Sequence, residues 1–219
     1  MKNLNVNWNN IRKAAAIASI CVIGLSFTAC GNRDMLDTNK SFSFALITAD
    51  DHESGLAVGL SKYKNYEGEQ QQLILDDGTV LLTSSYNTTL VRNKTSLTMK
   101  EYAAGYLQDG AEITTISKES NKDFNKDLFD TQFTYDKAIC LEGNNAVIYD
   151  ISQWTDYETD DQIQLKLSDG SYVLVGIPDV ILVREGKDYT ASQIAYGILG
   201  SDATVKEFDP KEGFKVLQK

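Results

Sequence analysis

Three observations in the 219-residue sequence predict an α+β fold that is mainly β. The chain repeats itself at an offset of 92, apolar positions alternate along short runs, and each copy carries one capped helical segment. The repeat needs no gap where 69–92 lies over 161–184: Gln70 and Gln162, Leu73 and Leu165, Asp77 and Asp169, Gly78 and Gly170, Leu82 and Leu174, and Arg92 and Arg184 coincide. The same offset lays 98–113 over 190–205, matching Thr98 with Thr190, Gly105 with Gly197 and Leu107 with Leu199. Two tandem homologous units are therefore expected, 35–117 and 128–219, joined by the polar linker 118–127.

Each unit opens with a strand, near 42–48 or 133–141. A second follows in which Leu56, Val58 and Leu60, or Val147, Tyr149 and Ile151, recur with period two. A hairpin comes next, turning at 76–79 or 168–171, where Asp-Gly supplies the positive φ that a tight turn requires. A further short strand ends at Arg92 or Arg184. Thr98 with Glu101, and Thr190 with Gln193, have the spacing of a capping box and predict helices over 98–107 and 190–199. A last strand, 111–116 or 203–208, closes the unit. About five short antiparallel strands plus one short helix per unit predict a strongly bent sheet or an SH3-like barrel, with an open α+β sheet as the competing arrangement.

The N-terminus is an address. Lys2, Arg12 and Lys13 precede an uncharged run from Ala14 to Ala29, the order of a secretory signal. That run has 16 residues, fewer than the roughly 20 of a membrane-spanning helix. It ends in Leu25-Ser26-Phe27-Thr28-Ala29-Cys30-Gly31, which resembles the lipobox of bacterial lipoproteins. The resemblance implies that 1–29 is a signal peptide, that Cys30 is the lipidated first residue, and that 30–34 is a tether. It also implies a protein held on the extracytoplasmic face of the cell membrane. Phe27 and Thr28 depart from the commonest pattern, and plain secretion is the alternative.

The formal net charge is −10, and removing three basic and no acidic residues with 1–29 gives −10 − 3 = −13. Such a chain repels phosphate backbones, so nucleic acid is not an expected partner. Cys21 leaves with the signal and Cys30 carries lipid, which leaves Cys140 without a disulfide partner, as a small apolar residue between Ile139 and Leu141. A single histidine, His52, removes most Ser-His-Asp, Cys-His and multi-histidine metal chemistry.

From 128 to 184, about a quarter of the chain, the sequence resembles short uncharacterised β-rich proteins of Gram-positive gut anaerobes. Phe129-Asp130-Thr131, Ser152-x-Trp154-x-Asp156-Tyr157-Glu158 and Val180-Ile181-Leu182-Val183 carry the likeness, which implies no activity. Asp156, Glu158, Asp160 and Asp161 crowd four carboxylates into six residues, a pattern that hard cations use. The glycine and glutamate of an EF-hand loop are missing, and a solvated turn is the favoured reading. Ser61-Lys62-Tyr63-Lys64 has the letters of a penicillin-recognising S-x-x-K, but it ends an alternating strand, where positions three apart face opposite sides. Tyr63, Tyr66, Trp154 and Tyr157 occupy matched positions and are candidates for an aromatic binding face, against a role in capping the core. The functional expectation is a membrane-anchored envelope protein that binds another protein or a polymer, without catalysis or cofactor. The alternative is an extracytoplasmic glycan hydrolase working with carboxylates alone.

Overall fold

The computed structural model describes residues 42–49, 53–65, 70–93, 95–119, 134–157 and 161–219, and it leaves the side chains of Lys64, Asn65, Asp156 and Tyr157 undescribed. The segments 1–29 and 30–34, Cys30 and most of the linker 118–127 therefore lie outside the described residues, as do His52, Tyr66, Glu158 and Asp160. The described fold is α+β and mainly β, with open sheets.

The first half contains β1 (Phe44–Thr48), β2 (Ser54–Gly59), β3 (Lys62–Asn65), β4 (Gln70–Ile74), β5 (Val80–Ser84), β6 (Thr88–Val91), helix α1 (Met99–Ala103) and β7 (Glu112–Ile116). The second contains β8 (Lys137–Glu142), β9 (Asn145–Tyr157), β10 (Gln162–Leu167), β11 (Tyr172–Gly176), a 3-10 turn (Ile177–Asp179), β12 (Val180–Arg184), helix α2 (Ala191–Leu199), β13 (Thr204–Asp209) and β14 (Gly213–Val216). The two Asp-Gly hairpins form as the sequence predicts: Gly78 and Gly170 have φ of 92° and 90°, which residues with a Cβ rarely adopt. Both capping boxes form as well. Thr98 accepts from the Glu101 amide, Thr190 accepts from the Gln193 amide, and each N3 side chain reaches back to its cap.

Two sheets result. One has the order β6-β1-β2-β7, and the other runs β11-β10-β9-β8-β12-β5-β4-β3, with β13 joined to β9 and β14 to β13. The strand after each helix departs from the antiparallel expectation: β7 lies parallel to β2, and β13 parallel to β9, with β14 added antiparallel to β13. The cause is the helix before it, which carries the chain back across the sheet so that the next strand runs the same way.

Where β2 passes into β3, Ser61 donates its hydroxyl to the carbonyls of Ile74 and Leu75 at 3.0 and 3.1 Å. Ser152 repeats this within β9 toward Lys166 and Leu167, at 3.2 and 3.3 Å. Both serines hold a strand against a partner that slips register or ends.

The long sheet is continuous because β5 of the first half pairs antiparallel with β12 of the second, Leu82 opposite Leu182, Leu81 opposite Val183 and Val80 opposite Arg184. The cores follow this joint. Val80 and Leu82 enter a cluster with Ile151, Leu165 and Leu182. A larger cluster unites Ile47, Leu56, Leu73 and Leu81 with Ile139, Ile148 and Ile181, around Ile194 and Ile198 of α2. The opposite face of β1 and β2, bearing Phe44, Leu46 and Ala57, is covered by Met99 and Ala103 of α1.

Candidate functional site

Of the four aromatic candidates, the two whose side chains are described, Tyr63 and Trp154, pack against different clusters. Tyr63 packs edge-on against Phe42, with ring centroids 5.0 Å apart, and rests on the cluster around α2. Burial raises the pKa of its hydroxyl. Trp154 packs edge-on against Tyr135 at 6.0 Å and rests on the other cluster, with Leu165 and Leu182. In each case the aromatic meets a second ring just before the first strand of its half, so both close a core edge. Tyr66 and the Tyr157 side chain lie outside the description.

Of the four acidic candidates, only Asp161 is described with its side chain. It is exposed, sits at positive φ, and its carbonyl accepts from the Ile177 amide, as a turn residue does. Cys140, on β8, packs among the residues around Leu182. Burial, with the nearby charge of Asp179, pushes its thiol up to about 12, which keeps it protonated and unreactive at neutral pH. Ser61 is committed to backbone carbonyls and has no geometry for nucleophilic work.

Polar groups tie the two halves together. Asp77 accepts from the Thr79 amide and hydroxyl at 2.9 and 2.7 Å, and from the amides of Lys187 and Asp188 at 3.1 and 3.0 Å. Burial works against its charge, but these donors prevail and lower its pKa. Glu112 accepts from the Ser201 hydroxyl and amide at 2.6 and 2.9 Å, which lowers its pKa too. Within the second half, Lys137 bridges Asp150 at 2.6 Å and Glu207 at 3.3 Å.

What remains accessible is a strand edge. β11 pairs with β10 and with no other described strand. Tyr172 and Leu174 on it are 61% and 56% exposed, whereas Val80 and Leu82, their counterparts at offset 92, are 1% and 3% exposed. Phe214 and Val216 of β14 are exposed as well. Sequence reasoning missed Tyr172 and Leu174, although a signal was present: Tyr172-Val173-Leu174-Val175-Gly176 holds no charge and no proline. Natural edge strands are usually blunted by one or the other.

Comparison with protein-family models, curated proteins and solved structures gives no match for this chain.

Proposed function

We propose that this chain is an exported lipoprotein, anchored to the cell membrane through Cys30, whose extracytoplasmic part is a non-enzymatic interaction protein of the cell envelope. The lipobox-like run Leu25–Gly31 supports the anchor. A duplicated body, each unit with an SH3-like strand order, is part of the same reading. It is supported by pairings that recur: β1 with β2 and β8 with β9, β1 with β6 and β8 with β12, β4 with β5 and β10 with β11. The observation that carries the interaction reading is the uncharged, exposed edge of β11. Strand addition at such an edge supplies affinity through main-chain hydrogen bonds, without any catalytic group.

The anchor is tested by replacing its only candidate. Cys30→Ala is expected to abolish palmitate labelling and to accumulate unprocessed precursor; labelling equal to that of the unaltered chain overturns the lipoprotein reading.

A further inference from the structure

We propose that β11 pairs with β6 of a second copy of this chain, head to tail, extending between molecules the joint that β5 and β12 make within one. This deepens the interaction reading above by naming the partner, and it does not depend on the lipid anchor.

The internal joint supplies the template. Its register sets Leu82 opposite Leu182, Leu81 opposite Val183 and Val80 opposite Arg184. Moving the first-half residues forward by 92 and the second-half residues back by 92 gives the equivalent joint: Leu174 opposite Leu90, Val173 opposite Val91, Tyr172 opposite Arg92. These positions exist in one chain but are not paired with each other. Among the described residues β11 has only β10 beside it, and β6 only β1.

The side chains agree with the register. On β5, Leu81 packs in the cluster with Leu56 and Leu73, while Val80 and Leu82 project from the other face into the cluster with Leu165 and Leu182 and are buried there. On β11, Val173 is half-buried on its own core, and Tyr172 and Leu174 stand in solvent where that neighbour would be. A second match comes from the connection before β12. The 3-10 turn Ile177–Asp179 packs beside β5, and the Pro178 carbonyl accepts from Asn87. Its counterpart before β6 is 85–87, whose Tyr86 is 64% exposed and takes the place of Pro178. The joint therefore brings Tyr86 of one copy beside the exposed β11 of the next. The loop contact at Asp77 is not part of it, because the residue matched in sequence to Gly186 is Lys94, and at Gly186 a Cβ would lie 2.5 Å from Asp77 Oδ2. A joint that uses different surfaces on its two sides leaves one of each unpaired at the ends of an open chain of copies, so assembly proceeds beyond a pair unless the rotation between copies closes a ring.

The test uses full-length chains with two different epitope tags, co-expressed in a bacterial host and oxidised in isolated membranes. Leu174→Cys in one and Leu90→Cys in the other is expected to give a mixed-tag disulfide dimer. A single chain bearing both substitutions is expected to give a ladder of higher multiples. No mixed dimer overturns the proposal. So does a dimer equally strong from Leu174→Cys alone, which would mean two β11 edges meeting, or one equally strong from Lys211→Cys with Leu90→Cys, which would mean random collision. In detergent, the mass of the unaltered chain is expected to rise with concentration by sedimentation. The double variant Tyr172→Lys, Leu174→Lys, whose side chains are exposed, is expected to stay monomeric with unchanged Trp154 emission. Undiminished assembly in that folded variant overturns the joint. Palmitate labelling without cross-linking would sink the joint and leave the anchor standing; cross-linking without labelling would do the reverse.

Discussion

Helices α1 and α2 begin with the same device and end differently. Each is opened by a threonine cap with a reciprocal side chain at N3, yet α1 runs five residues and α2 nine. In α1 only Met99 and Ala103 are buried, against one face of β1 and β2. In α2, Ile194, Ala195 and Ile198 are completely buried between strands of both halves. Gly197 fits there because it lacks a Cβ, which would come within 2.7 Å of the Leu56 side chain. Its counterpart Gly105 has only a carbonyl of its own turn nearby. The cap starts a helix, and tertiary cover sets how far it continues. The same rule separates Leu82 from Leu174: positions matched in sequence differ in burial because Leu82 lies against β12 and Leu174 has no described strand beyond it.

That comparison is broken most severely by removing the first half. A fragment from Leu128 to Lys219 keeps its local signals but loses Val80 and Leu82 from one cluster and the whole first-half cover of α2. It is expected to lack a cooperative denaturant transition, with Trp154 emission already red-shifted in buffer; a sharp transition would show that the second half needs no partner. A smaller effect comes from single truncations at the matched leucines. Leu82→Ala is expected to cost about 2–4 kcal/mol, and Leu174→Ala less than about 0.5 kcal/mol in dilute solution, both read from chemical denaturation. Equal costs would remove the distinction between the two positions.

The smallest effect concerns the matched turn aspartates. Among the described residues Asp169 accepts only from Ser171, whereas Asp77 also holds the backbone of the 186–188 loop. Asp77→Asn is expected to cost roughly 1–2 kcal/mol at neutral pH, and Asp169→Asn less. Because folding lowers the Asp77 pKa, its contribution is fully present above the ordinary carboxylate pKa. It is lost as pH falls through the lower folded value. The gap between the unaltered chain and Asp77→Asn should therefore close in acid, and a gap independent of pH would refute the assignment.

Much of the local structure was legible in the sequence. Asp-Gly turns, capping boxes and period-two runs are short-range signals, each enforced by the backbone of a few residues. The partners of those elements were less legible. A strand presents the same amides and carbonyls to any neighbour, so nothing in Val80–Ser84 distinguishes β12 of the other half from a strand of its own. The parallel setting of β7 and β13 depends on how α1 and α2 cross their sheets, which no local pattern encodes. Their matched positions in the sequence make Tyr63 and Trp154 candidates for a binding face or for core caps. The structure sets the two rings on different strands, and each caps a different core.

The β5·β12 joint also has a consequence in time. Leu82 and Leu182, opposite one another in the finished fold, are separated by 182 − 82 = 100 residues of chain. A polypeptide is made from its N-terminus at about 5–20 residues per second, so the β5 edge waits roughly 5–20 s before β12 exists to cover it. Until β12 exists, Val80 and Leu82 lack the strand that covers them in the finished fold. Two chains growing side by side can then exchange partners, the β12 that arrives first closing the wrong molecule, and the order of synthesis itself selects between a correctly closed monomer and an interlocked pair.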